Sequence, residues 1–284
     1  MSTFEKISVL GTGVLGSQIA FQAAYHGFAV TAYDISDEAV AAGEGRLDAL
    51  VATYAGALDS GDRTKAEAAR GRLTTTSDLA LAAQADLIIE AAPEIIDVKR
   101  ELYGRLGELA PEHTVFATNS STLLPSDIKA STGRPDKFLA LHFANHIFLF
   151  NTAEVMGSDE TDPAVFQQVV VFAEAIGMVP IEVHKEKAGY VLNSLLVPLL
   201  DAAMELAAFD YATPEDVDKT WRIGTGSPAG PFQILDIVGL TTAYNISNAH
   251  PSEKSQKIAA WLKENYVDQG KLGVATGEGF YRYG

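Results

Sequence analysis

Two kinds of apolar run alternate along the first two thirds of the chain. Short runs read as strands: Ile7 to Leu10, Val30 to Asp34, Leu73 to Thr75, Leu87 to Glu90, Val115 to Ala117, Phe138 to Phe143, Ala153 to Met156 and Val179 to Val183. Between them apolar residues recur at helical spacing, after the first strand and over Ile96 to Leu109 and Pro163 to Ile176. Ser36 to about Arg72 reads as a helical pair interrupted near Ser60-Gly61-Asp62, with Ser36 as N-cap and Leu47, Leu50, Val51 and Tyr54 on its apolar face. Strands alternating with helices build βαβ units, hence a mostly parallel sheet covered on both faces. From Lys187 onward only helical patterns remain, at Tyr190 to Ala208, Pro214 to Gly224, Pro231 to Asn248 and Lys254 to Asp268. The expected architecture is an α/β domain over residues 1–186, carrying the helical pair at 36–72, followed by an all-α domain over 187–284. The run from Val191 to Leu200 is apolar enough to predict burial on most sides, in the domain's own core or in a dimer interface.

The first strand breaks directly into Gly11-Thr12-Gly13-Val14-Leu15-Gly16, and the next strand ends on Asp34. This order makes the α/β domain Rossmann-type. Gly11 allows the tight turn, Gly13 lets a diphosphate approach the backbone, and Gly16 lets the helix pack closely on the strand. The N–H groups of Val14 and Leu15 then face phosphate at a helix N-terminus. Asp34 sits where a carboxylate accepts from a ribose diol, and no Arg adjoins it, which points to NAD rather than NADP. Glycine patterns arise in loops by chance, but strand, glycines, helix, strand and acid in sequence are specific.

Composition narrows the chemistry. The 284 residues suffice for two cores, and 47% are hydrophobic. A net charge of −16 disfavours nucleic acid and anionic membranes as partners. There is no Cys, so thiolate catalysis and Cys-ligated zinc are excluded, and no metal site is expected. No apolar run reaches membrane-spanning length and no basic leader precedes the first strand, so a cytoplasmic protein acting on a small molecule is expected.

Hydride transfer to a nicotinamide needs a group that takes the alcohol proton, and His suits that task near neutral pH. Of six His, His142 lies at the carboxyl end of a strand, the edge where open α/β sheets bind ligands. A hairpin-like return would bring Glu154, twelve residues on, to its ring; a satisfied core histidine is the alternative. Asn119-Ser120-Ser121 also follows a strand, as site residues or as a helix N-cap. Asn193 is the one amide in the apolar run, and burial would require it to have a partner.

Taken together these pieces resemble the L-3-hydroxyacyl-CoA dehydrogenase family over essentially the whole chain. The matching motifs are GTGVLG, Ile89 to Glu94 with Val98-Lys99, Thr118 to Ser121, Leu141-His142-Phe143 with Asn145, Ala153-Glu154-Val155, Gly189 to Asn193, Gly230-Pro231-Phe232 and Thr276 to Tyr281. The resemblance implies NAD-dependent oxidation of an L-3-hydroxyacyl-CoA in fatty acid metabolism, by a homodimer formed through the helical domain. It implies that His142 is the general base, Glu154 its orienting partner, and Ser121 and Asn193 hydrogen-bond the substrate's reacting oxygens. Glu94, Lys99, Asn119, Ser121 and Asn145 would lie along the cofactor site.

Several positions depart from the family pattern. His-Phe-Phe-Asn-Pro is here His142-Phe143-Ala144-Asn145-His146, Asn193 is followed by Ser194 rather than Arg, and Ala275 replaces a lysine. Most telling, Ser36 to Asp62 offers only Arg46, where the family carries lysines against CoA. The next basic cluster, Arg63, Lys65, Arg70 and Arg72, reads as a solvated face balanced by Glu67. Two other readings therefore stand beside the acyl-CoA one: a dehydrogenase of a CoA-free 3-hydroxy acid, like gulonate and carnitine dehydrogenases, and a catalytically silent NAD-binding structural or sensor protein.

Overall fold

A computed structural model describes residues 4–283. The chain divides into two compact units, residues 1–191 and 192–284. The first is an eight-stranded sheet of β1 (Lys6–Leu10), β2 (Ala29–Tyr33), β3 (Leu73–Thr76), β4 (Leu87–Glu90), β5 (Val115–Thr118), β6 (Phe138–Phe143), β7 (Thr152–Gly157) and β8 (Val179–Val183). Its order is β3-β2-β1-β4-β5-β6-β7-β8. Every pairing is parallel except β6 with β7.

Strand order reverses at β1, which pairs β2 on one side and β4 on the other. Chain connections leave the sheet in opposite directions there, opening a crevice at the carboxyl ends of the two strands. The strands are connected through α1 (Val14–Tyr25), α2 (Asp37–Leu58), α3 (Thr64–Arg70), α4 (Leu79–Ala82), α5 (Ile96–Leu109), α6 (Pro125–Ile128) and α7 (Pro163–Ala175). Residues Gly16 to Tyr25 of α1 are buried throughout. One core cluster, with Val9, Phe21, Tyr54, Leu139 and Phe172, and a second, with Leu10, Ile88, Tyr103, Phe116 and Phe138, contain most of the buried apolar strand residues. The 36–72 pair forms as α2 and α3, and Ser36 Oγ accepts from Ala39 N at 3.3 Å as the expected cap.

The second unit is helical: α8 (Leu192–Ala208), α9 (Pro214–Thr225), α10 (Pro231–Val238), α11 (Leu240–Ala249) and α12 (Glu253–Asn265). Two expectations need correction. The helix expected over Pro231 to Asn248 is broken at Gly239, whose φ of 94° no helical residue can adopt; Leu240 N there donates instead to Leu272 O at 3.0 Å. The helical unit's own core also does not bury the apolar run at 191–200 on most sides. Only one face of α8 turns inward, through Leu200, Ala203, Met204, Ala207 and Ala208, while Leu195 is 70% and Val197 50% exposed. The helix also starts later than Tyr190, because Gly189 and Tyr190 both have positive φ.

Two buried carboxylates organise this unit. Asp218 accepts from Phe232 N and Gln233 N at 2.8 and 3.0 Å, capping α10 from a different helix. Asp236 accepts from Phe280 N, Tyr281 N and Tyr283 Oη, which pins the C-terminal segment. Among the described residues no helix is long and apolar enough to cross a membrane.

Candidate active site

Gly11 has φ 99°, and a Cβ there would stand 2.6 Å from Ala91 O. A Cβ on Gly16 would fall 1.9 Å from Gly11 O, while one on Gly13 would meet nothing within 4 Å. The three glycines thus divide the work: two permit close backbone packing and the third leaves space for a ligand. Gly13 precedes α1 without any side-chain cap, and the first intrahelical bond runs from Ser17 N to Gly13 O at 2.9 Å. The N–H groups of Val14, Leu15 and Gly16 therefore lack helical partners. They border a cleft of about 410 Å³, with Glu94, Lys99, Asn119 and Ser121 on its other wall. Free N–H groups at a helix end, facing open space, fit the diphosphate of a dinucleotide.

Gly16→Ala is expected to force the turn and α1 apart at a cost of about 1–3 kcal/mol. Titration of NADH fluorescence should show the affinity falling by a matching factor, and unchanged binding would contradict the packing role.

Asp34 lies just past β2. Its Oδ2 accepts from Thr12 N at 2.8 Å and Thr12 Oγ1 at 2.6 Å, and its Oδ1 from Ile35 N at 2.8 Å. Burial raises its carboxyl, but these bonds and the nearby Arg46 charge outweigh it, so the net pKa falls and the group stays ionised. Arg46 comes from α2, with its guanidinium on Thr12 O at 3.2 Å. Absence of an Arg next to Asp34 in sequence therefore did not mean absence of one in space.

The antiparallel pairing of β6 and β7 sets His142 directly opposite Glu154. Side chains of opposed residues share a face of the sheet. His142 Nδ1 and Glu154 Oε2 are 3.0 Å apart, and His142 Nε2 lies 3.0 Å from Ser121 Oγ. Glu154 Oε1 accepts from Val191 N at 2.9 Å, which fixes the carboxylate. The imidazole stacks on Tyr190 with 4.5 Å between ring centres and 9° between planes, and Tyr190 Oη donates to Ser120 O at 2.7 Å. Carboxylate, imidazole and hydroxyl form one hydrogen-bonded line, with only 4% of His142 and 4% of Glu154 exposed. Ser121 belongs both to this line and to the cleft wall.

Lys99 borders the cleft, but its ammonium is committed beneath it. Nζ donates to Glu90 Oε1 at 2.5 Å and to Ala92 O at 3.2 Å, and lies 3.4 Å from Glu94 Oε2. Glu90 is fully buried and also accepts from Ala92 N and Thr118 Oγ1. Glu94 Oε1 accepts from Ser120 Oγ, Thr122 N and Thr122 Oγ1. Burial pushes the Glu94 carboxyl up, yet those bonds and the Lys99 charge prevail and bring it down to about 2. A carboxyl depressed in the folded state stabilises above its unfolded value, and that contribution fades as pH falls from about 4.5 to about 2. Acid titration of unfolding should show a shallower loss across this window for Glu94→Gln than for the wild-type chain.

Asn119 Oδ1 accepts from Phe143 N at 2.9 Å, tying β5 to the end of β6. Asn145 is exposed and does not border the cleft. Asn193 is the second residue of α8, in the helical unit, and is partly buried. Glu90, Thr118 and Tyr190 were not singled out from the sequence. A carboxylate closing an apolar strand, as at Glu90, was the available signal. A larger cavity, about 630 Å³, lies in the helical unit against Leu199, Leu206, Val217 and Trp221, with Asp216 as the ionisable residue in its lining.

The family model for the 3-hydroxyacyl-CoA dehydrogenase NAD binding domain matches residues 6–187, and that for the C-terminal domain matches residues 189–283. The chain is 33% identical to a human mitochondrial hydroxyacyl-coenzyme A dehydrogenase, with 98% of this chain and 90% of that one covered. It is 34% identical to a probable 3-hydroxybutyryl-CoA dehydrogenase of Bacillus subtilis strain 168, covering 98% and 97%. Among solved structures, one described as showing substrate-directed dual catalysis of dicarbonyl compounds by diketoreductase is 64% identical over 100% of both chains, with a TM-score of 0.96. Two matching family models, one for each compact unit, together with these relatives establish that the chain belongs to the 3-hydroxyacyl-CoA dehydrogenase family and uses NAD.

Proposed function

We propose that this protein interconverts a 3-hydroxyl and a 3-keto group on an acyl substrate with NAD, His142 acting as the proton-transfer group. The observation that carries the reading is the Glu154, His142, Ser121 line abutting a cleft with free helix N–H groups. The Gly11 to Gly16 turn and Asp34 would hold NAD, which would supply the hydride acceptor. His142 Nε2 takes the hydroxyl proton during oxidation, and Glu154 stabilises the imidazolium and holds Nδ1 as the donor end. Ser121 orients the reacting oxygen toward His142, and Glu94, Lys99 and Asn119 stand on the cofactor side. In reduction the protonated ring returns its proton to the carbonyl oxygen. Names of the relatives support an acyl-CoA as substrate.

A second reading, a CoA-free 1,3-dicarbonyl or 3-hydroxy acid, is favoured by the state of the basic side chains. Arg46 bonds Thr12 O, Arg63 pairs with Glu67, Arg70 with Asp48, Lys65 sits over the Tyr25 ring, and Arg72 donates to Ala24 O. None of these is held open for a CoA phosphate, and the 64% identical relative is a diketoreductase. NADH consumption measured with acetoacetyl-CoA, with free acetoacetate and with a 3,5-diketo ester separates the readings. Turnover of the thioester alone supports CoA as the handle, and turnover of the free compounds alone overturns it. Silence with all three, alongside NADH binding, would favour a sensor or structural role instead.

Exposed apolar side chains on the helical unit, Leu195, Ile223 at 76% and Ile246 at 60%, support a homodimer through that unit. Sedimentation velocity tests it.

A further inference from the structure

The loop between β6 and β7 carries a feature that the reaction chemistry does not use. His146 has φ 59°, a left-handed conformation uncommon for any residue with a side chain. Its carbonyl closes the turn by accepting from Leu149 N at 2.8 Å and Phe150 N at 2.9 Å. Its N–H donates to Gln18 Oε1 at 2.8 Å, and Ile147 N reaches the same oxygen at 3.4 Å. Gln18 lies on α1, one turn after the N–H groups that border the cleft, and is only 6% exposed. Ile147 is fully buried and Phe148 packs on the Tyr54 ring at 5.0 Å, so the turn is anchored just beyond the strained residue. The His146 imidazole itself is exposed.

This loop is the direct chain connection between the strand of His142 and the strand of Glu154. Its opening residues, Ala144 and Asn145, follow within three positions of His142. Their backbone path is set by the turn at His146, and a side-chain acceptor for that turn comes from the nucleotide helix. We infer that Gln18 is a positioning residue: by accepting from the His146 N–H it holds the left-handed turn and ties the β6–β7 loop to the cofactor helix. The backbone of His146, not its ring, is the part that matters.

The inference rests on the proposed reaction at His142, and its test separates the two. Glycine takes positive φ freely and keeps the N–H, whereas proline is locked near φ −65° and has no N–H to donate. His146→Gly is expected to keep kcat/KM for the keto substrate within about threefold of wild type. His146→Pro and Gln18→Leu should each lower it by about tenfold or more, chiefly through KM, with NADH affinity nearly unchanged. Amide hydrogen exchange supplies a readout independent of turnover: residues 146–150 should lose protection in Gln18→Leu and keep it in His146→Gly. Thermal unfolding of each variant identifies one that has merely failed to fold. If His146→Gly falls as far as His146→Pro, the ring is the functional part and the inference is wrong. It is equally wrong if Gln18→Leu leaves both exchange and KM unchanged. Inactivity of the wild-type chain would instead count against the reaction, while the exchange result would still judge the turn.

Discussion

His142→Ala will lower kcat by about 10²- to 10⁴-fold, the usual contribution of a positioned acid or base, while leaving NADH affinity nearly intact. The asymmetry follows from geometry. His142 meets Ser121 and Glu154 through its two nitrogens, whereas the nucleotide cleft is bordered by backbone groups from Gly13 to Gly16 on another strand end. Glu154→Gln should be informative beside it. Its carboxamide can still sit between Val191 N and the ring, but it no longer balances an imidazolium, so kcat should fall while the ring stays in place. Steady-state kinetics with NADH titration reads both. A His142→Ala enzyme retaining more than a tenth of wild-type kcat would refute the assignment of the base.

Lys99→Met will be among the most destabilising single changes available to the first unit. Lys99 is 1% exposed and Glu90 0%, so removing the ammonium leaves an uncompensated carboxylate inside the protein. Breaking such a pair costs about 3–5 kcal/mol. For a unit of this size that is a fall of about 6–20 °C in Tm. The partner experiment is the double change Lys99→Met with Glu90→Gln, which removes both charges, keeps an acceptor for Ala92 N and lets the new amide donate to Thr118 Oγ1. It should recover a large part of the loss. Equal destabilisation of the single and double variants would mean that packing around Lys99, rather than the stranded charge, sets the cost. The same pair explains why a lysine beside the nucleotide cleft need not touch a nucleotide: it secures the segment from Glu90 to Glu94 on which one wall depends.

How far the sequence foretold this site depended on the range of the interactions involved. β4 and β6 were legible to the residue because strands buried on both faces of a sheet read as nearly continuous apolar runs. The Gly11 to Gly16 turn was legible because its constraints are local. The pairing of His142 with Glu154 needed one long-range guess, a strand return, and the spacing of twelve residues made it a short one. The stacking of Tyr190 on His142 and the shared chemistry of Glu90, Thr118 and Lys99 were not legible, because they join segments 9 to 48 residues apart without a repeating pattern. Arg46 illustrates the same limit from the other side: twelve positions separate it from Asp34, yet the fold brings its charge to bear there. The break at Gly239 was missed because the flanking apolar periodicity runs on across it.

The reversed strand β7 has a consequence for how this protein can diversify. Opposed residues in a ladder alternate between faces, so slipping one strand by a single residue turns its whole row of side chains to the other side. An insertion or deletion within β6 or β7 would therefore part Glu154 from His142 at once. Changes of length between Ala144 and Asn151 can be absorbed by the loop without disturbing that register. Lineages descended from such a chain can remodel the rim of the site by gaining or losing loop residues, while the pair at its centre is inherited as one unit.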